Sequence, residues 1–363
     1  MKTKGLKVLT AAAVLSLGLM TMEALAAEGW AMSGNTWVYM DQYGNRVTNE
    51  WRKGADNLWR YLNGNGEMAV SCWADEDYFV DSNGIMVANK WVKTRSYYGG
   101  DEDVWFYFGN SGKVVKDGWK KIDGRNYLFD SEGVMQTGWT EDNLYYLGSD
   151  GAMKTGWRYL EPPYDEDEDD YTYGPESDDG QYWYYFAPSG KKYCTSTGDE
   201  EGEYRVSRID GKYYCFDSTG KMQTGWAQVN GAWYYLNNEG KMQNGWQDIE
   251  GRRYFLDASG VMKTGWQDID GGRYYLGTDG RMVTGWQQLD GTWYYLGEDG
   301  KRRTDWQQVG ESWYYLDGEG RMLTGWQDIG GSRYYLNGSG AMLTGWQDIE
   351  GARYYLNSSG AML

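Results

Sequence analysis

The sequence predicts an all-β fold, a solenoid of stacked β-hairpins written in repeats of about 20 residues. Three observations carry that prediction. Trp226, Trp246, Trp266, Trp286, Trp306, Trp326 and Trp346 are each 20 residues apart. Each interval holds one short aromatic run and one Gly-containing turn. Finally, the chain lacks an aliphatic core. Leu, Ile, Val and Phe number only 54 of 363 residues, while 21 Trp and 34 Tyr supply the missing apolar surface. Each buried aromatic removes on the order of 150–250 Å² from water, so the chain can fold on rings instead of aliphatics. Collagen is excluded, because Pro is only 4 and Gly has no three-residue period.

Within one unit, Trp233-Tyr-Tyr-Leu236 is an aromatic run suited to a strand. Asn237-Asn-Glu-Gly240 reads as a turn, with Gly where positive φ is cheap. Lys241-Met-Gln-Asn244 then reads as the returning strand, and Gly245-Trp246 as the connection to the next unit. Strand parity puts Trp233 and Tyr235 on one face, with Tyr234 and Leu236 on the other. Parity alone does not say which face lines the core. A lone two-stranded hairpin is marginal in water, so neighbouring units must cover each other's faces. Met222, Met242, Met262, Met282, Met322, Met342 and Met362 recur in phase and suit core filling.

Four segments follow from this reading. Residues 1–26 form a signal peptide: Lys2, Lys4 and Lys7 precede an apolar run, and Ala24-Leu25-Ala26 offers a cleavage site. Residues 27–158 hold irregular N-terminal repeats, with Trp30, Trp51, Trp73, Trp91, Trp119, Trp139 and Trp157 as their leading tryptophans. Residues 159–205 are an acidic insertion with a degenerate repeat, and residues 206–363 are the regular C-terminal array. Ten acidic side chains and no basic one lie between 161 and 180. Such a run repels itself and stays solvated, and the EF-hand spacing is absent, so no metal is assigned. No later apolar run could span a membrane, which needs about 20 residues. The expected location is therefore secreted, at the cell wall or surface.

Composition removes several chemistries. There is no His, which excludes a Ser-His-Asp triad and a His-ligated metal. Cys72, Cys194 and Cys215 are too few for a disulfide scaffold, although a Cys194–Cys215 bridge is conceivable. The net charge of −18 disfavours nucleic acid. The longest stretch outside the repeats, about 45 residues, could not bury an enzyme core of its own. No cofactor is implied, and the chain is expected not to be an enzyme.

Gly225-Trp226, Gly231-Ala-Trp-Tyr-Tyr-Leu236 and Gly240-Lys-Met242 resemble the choline-binding, or cell-wall-binding, repeat of Gram-positive surface proteins. Related repeats occur in clostridial toxins and in glucan-binding domains of streptococcal glucosyltransferases. The resemblance implies a non-catalytic protein that attaches to choline-bearing teichoic or lipoteichoic acid, and it allows a homodimer. The alternative is an adhesin that reads glucan or host glycan. It also implies cages between consecutive hairpins, each built from a leading Trp, the hairpin Trp of the same repeat and an aromatic of the next. Carried over by residue, these are Trp226 with Trp233 and Phe255, Trp286 with Trp293 and Tyr315, and Trp306 with Trp313 and Tyr335. Strand parity selects each third member, with the neighbouring Tyr as the alternative.

Arg253, Arg273, Arg333 and Arg353 replace the hairpin Trp in the other C-terminal units. Each is expected to stack on its neighbouring ring and fill the cage as an internal cation. Asp248, Asp268, Asp328 and Asp348 recur nearby as ion-pair partners or as a weak negative stripe. Arg302 for Met and Asp305 for Gly set the Trp306 unit apart.

Overall fold

The computed structural model describes residues 27–163, 179–194 and 204–363. The expected signal peptide, and most of the acidic run, lie outside these residues. Thirty strands pair into fifteen two-stranded antiparallel sheets, and no described sheet is larger. Hairpins this small cannot form a core alone, so the core lies between them. This is the solenoid of stacked hairpins that the repeat predicts. No helix among the described residues is long and apolar enough to cross a membrane. The chain divides into two compact units. One comprises residues up to Glu141 with Tyr146–Met153, the other Asp142–Tyr145 with Lys154–Leu363.

The strand that pairs with Ala232–Leu236 is not the one the sequence reading chose. It is Gly225–Val229, which that reading took for part of a connection. Asn230 and Gly231 both take positive φ, 49° and 76°, as a two-residue type I′ hairpin turn requires. Glu250-Gly251, Asp270-Gly271, Asp290-Gly291 and Glu350-Gly351 take this place with both φ positive, as does Gly330-Gly331, while Gly310-Glu311 fills it in the Trp306 unit. The expected returning strand contributes only one bridge, Leu236 to Met242. The turn at Asn237–Gly240 does form. The Asn237 side-chain oxygen accepts from the amides of Glu239 and Lys241, at 3.0 and 2.9 Å.

Stacking uses three contacts repeated along each unit. Leu236, Leu256, Leu276, Leu296, Leu316, Leu336 and Leu356 are fully buried at the same position of each hairpin. Phe108 and Phe129 in the first unit, and Phe186 and Phe216 in the second, are buried at the corresponding strand ends. The amide of each repeat Met donates to a carbonyl of the preceding hairpin, as Met262 does to Trp233 at 2.8 Å and Met322 to Trp293 at 2.8 Å. Each Met side chain then lies against the turn glycine of the following hairpin. A Cβ on Gly280 would collide with Met262, and one on Gly340 with Met322.

The pattern also runs through the start of the acidic insertion, where the sequence reading saw an interruption. Gly156–Leu160 pairs with Tyr182–Phe186, placing Trp157 opposite Tyr185 as in a regular unit. Lengthening a hairpin loop costs free energy only as the logarithm of its length, so pairing survives the insertion. Cys72, Cys194 and Cys215 are all free thiols, so the conceivable bridge is not made. Cys215 is buried, and desolvation pushes its thiol up to about 12. It behaves as an inert filler.

Two glycines separate the contributions of backbone and packing. Gly280→Ala meets a positive φ of 80° and the Met262 side chain; Gly285→Ala meets a positive φ of 74° and open space. The first change should cost about 2–4 kcal/mol, from left-handed backbone plus overpacking, and the second about 1–2 kcal/mol. Thermal melts followed by near-ultraviolet circular dichroism should rank Gly280→Ala below Gly285→Ala, with both below the parent.

Candidate aromatic cages at the hairpin seams

The seam geometry begins with register. Trp226 lies directly opposite Tyr235 within its hairpin, with Trp233 on the same face beside them. Tyr235 is 5.1 Å from the Trp226 ring, and Trp233 is 6.5 Å away at nearly a right angle. Across the seam, Tyr254 of the next hairpin approaches Trp226 to 4.9 Å. Trp233 stays 41% exposed, so the corner between these rings opens to solvent. The Trp286 seam repeats this arrangement, with Trp293 at 6.5 Å and Tyr314 at 4.7 Å.

The ring across each seam therefore has the opposite parity to the one expected. Tyr254 stands where Phe255 was expected, Tyr314 where Tyr315 was, and Tyr334 where Tyr335 was. Phe255, Tyr315 and Tyr335 instead pack on the leading Trp of their own hairpins, Trp246, Trp306 and Trp326. The cause is the stacking direction. Hairpins stack head to tail, so the outer face of one meets the Leu-bearing face of the next. At the Trp306 seam, Trp306 contacts Tyr315 and Tyr334 at 5.2 and 4.9 Å, while Trp313 sits 40% exposed. Its Arg302 takes the Met position and donates to the carbonyl oxygens of Glu319 and Gly318, at 2.7 and 3.3 Å. Asp305 takes the Gly position at φ 62°.

Two further seams share the full geometry and were missed by sequence reasoning. Trp91 meets Trp105 at 6.5 Å and Tyr127 at 4.9 Å. Trp157 meets Trp183 at 6.3 Å and Tyr214 at 4.8 Å. In regular units the hairpin Trp follows the leading Trp by seven residues. Here longer strands with a register shift in the first hairpin, and a longer loop in the second, stretch that interval and hide the pair from a search at fixed spacing. The signal that could have found them is the aromatic run itself, Trp105-Phe-Tyr-Phe108 and Trp183-Tyr-Tyr-Phe186.

The arginine-bearing seams have the same frame with the corner occupied. Arg253 lies over Trp246 at 5.0 Å, Arg273 over Trp266 at 5.4 Å and Arg333 over Trp326 at 5.2 Å. The cross-seam tyrosines Tyr274, Tyr294 and Tyr354 are all present. Each guanidinium also pairs with the Asp opposite it in the hairpin, most closely Arg273 with Asp268 at 3.1 Å. These pairs are exposed and add little stability, but they hold the cation over the ring. Arg353 covers Trp346 in the last hairpin, where Trp346 is 62% exposed and no described hairpin follows. Among the described residues no cluster of three or more His, Cys, Asp or Glu could hold a metal ion.

Comparison with known proteins matches the repeats to known families. A choline-binding repeat model matches residues 117–157, 206–243, 223–264, 263–302 and 303–344, and a putative cell wall binding repeat model matches 344–362. Together these cover more than half of the chain. The chain belongs to the choline-binding repeat family. CbpJ from Streptococcus pneumoniae TIGR4 is 33% identical, with a TM-score of 0.51 over 68% of this chain and 94% of that one. Choline binding protein F from Streptococcus pneumoniae is 34% identical, with a TM-score of 0.49 over 68% of this chain and 92% of that one. Glucosyltransferase-S of Streptococcus mutans is 28% identical over 239 residues, 59% of this chain. The chain spans only 14% of that enzyme's length and 5% of Glucosyltransferase-I of Streptococcus downei.

If the arginines are internal occupants, replacing one with an aromatic wall should open its seam. Arg253→Trp, backed by Trp246 and Tyr274, should raise the choline stoichiometry by one site in isothermal titration. Arg353→Trp should raise it less, because no tyrosine among the described residues packs across the seam on Trp346.

Proposed function

We propose that this chain is a non-catalytic, secreted wall-attachment protein that holds choline of teichoic or lipoteichoic acids in its open seams. The observation that carries the reading is the corner formed by Trp286, Trp293 and Tyr314, and its three close counterparts. A quaternary ammonium has no hydrogen to donate, so it is recognised by the negative faces of aromatic rings. Each such contact is worth about 0.5–1 kcal/mol when exposed and about 2 when desolvated. Three walls then supply a few kcal/mol, close to millimolar affinity at about −4 kcal/mol. One site is weak, but several on one chain facing a polymer with many cholines multiply retention.

A second reading, attachment to glucan or host glycan, draws on the arginine seams and the glucosyltransferase similarity. Arg253 keeps 46% of its side chain exposed beside Trp246, so it could offer hydrogen bonds to sugar hydroxyls. The family membership fits either ligand at the cell surface. The open corners favour choline, because the faces of three aromatic rings converge on them.

The test is retention of the full chain on a quaternary-amine column. With a net charge of −18 the chain binds such a resin by charge alone. Free choline should therefore elute it at a lower concentration than sodium chloride of equal ionic strength. Trp293→Ala should weaken choline binding at its seam about five- to thirtyfold, the equivalent of losing about 1–2 kcal/mol. Equal elution by choline and salt, together with binding to immobilised glycans, would select the second reading.

A further inference from the structure

The first seam of the N-terminal unit departs from the seams described above. Trp30 lies opposite Tyr39, and Trp37 follows on the same face, as Trp226, Tyr235 and Trp233 do. The next hairpin, however, offers no cross-seam tyrosine. In its register Arg60 stands two residues before the buried Leu62, the place that Tyr254 holds before Leu256.

Arg60 is not a plug of the Arg253 kind. Asp56 grips it in a fork, with Nη1 donating to Oδ1 at 2.8 Å and Nη2 to Oδ2 at 2.7 Å. Nη1 also donates to the Leu58 carbonyl oxygen at 3.3 Å. The Arg60 side chain is only 17% exposed, so the pair is held in place. Beside it runs a groove of about 400 Å³, lined among others by Trp30, Trp37, Asp56, Arg60 and Asn83. That volume lies within the range of small-molecule sites, about 300–1,000 Å³. Trp37 shows 44% of its surface to solvent at the groove.

The charges decide what such a groove takes. A guanidinium replaces the ring that would attract an ammonium, so the three-walled cation cage is lost. Asp56 engages both terminal nitrogens of Arg60, so the pair carries no net charge to attract an anion. What remains is an apolar indole wall beside fixed donors and acceptors, with Asn83 also lining the groove. That combination suits a neutral polyol with one C–H face.

We propose that this first seam is a pyranose-binding subsite. The C–H face of a sugar ring packs on Trp37, while its hydroxyls hydrogen-bond to the Asp56 carboxylate, the Arg60 guanidinium and the Asn83 amide. The subsite does not depend on choline binding elsewhere in the chain. Pyranose rings could come from a wall amino-sugar glycan or from a glucan, and the probes separate these.

Saturation-transfer difference NMR on the full chain with saturating choline tests the subsite, using chitotriose and isomaltotriose as separate probes. Transfer to at least one of them is expected, and the one that receives it identifies the glycan type. Trp37→Ala, at an exposed position, should abolish the transfer, and Asn83→Ala should reduce it. Arg60→Tyr rebuilds the aromatic wall, so it should abolish transfer and add one choline to the titrated stoichiometry. Three results would overturn the subsite: no transfer to either sugar, transfer unchanged in Trp37→Ala, or transfer seen without choline that disappears when choline is added. A failed choline titration with sugar transfer intact would count against the proposed attachment role alone.

Discussion

The structure depends on the contact between the leading tryptophan of one hairpin and the inward tyrosine of the next. Two-stranded sheets of five-residue strands have too little surface to stand alone. The ring pairs at 4.7 to 5.1 Å across successive seams from Trp226 to Trp326 are where each hairpin gains a neighbour. Edge-to-face pairs of this kind add about 0.5–1.5 kcal/mol beyond their buried area. Leucine behind them and methionine beneath the turns complete the joint. Because the joint is made of exposed-edge aromatics, the same residues that build the stack also leave electron-rich corners on its surface. The corners are therefore a by-product of the contacts that stack the hairpins.

One residue position decides what a corner does. The leading Trp and the cross-seam Tyr are present in all the regular seams, so they do not distinguish them. The hairpin position does. With Trp there, as at 233 or 293, the corner is open; with Arg there, as at 253 or 273, it is covered by a cation that belongs to the chain. An array can thus keep its length and stiffness while varying its number of open corners. The first seam shows that the cross-seam position can vary too, with Arg60 replacing the ring and bringing Asp56 with it.

Much of this was legible in the residues. The 20-residue recurrence of Trp226 to Trp346 specified hairpin stacking, and the arginines at 253, 273 and 333 announced their ring partners. The strand pairing was less visible. Asn230-Gly231 is a strong hairpin signal, yet the richer turn at Asn237–Gly240 drew the assignment to the wrong pair of strands. Phe255 was preferred to Tyr254 because parity within a strand says nothing about how faces meet across a head-to-tail stack. Trp105 and Trp183 escaped notice because extra residues, in the strands of one hairpin and in the loop of the other, break the spacing while Trp91 still pairs with Tyr107 and Trp157 with Tyr185. A period reports the regular part of a repeat, whereas register is what the insertions preserve.

The most direct test is a crystal structure of the full chain soaked with choline. Ammonium density should sit between Trp226, Trp233 and Tyr254 and between Trp286, Trp293 and Tyr314, with none over Trp246 or Trp266, where guanidinium already lies. Choline bound equally at arginine and tryptophan seams, or bound at neither, would contradict the account.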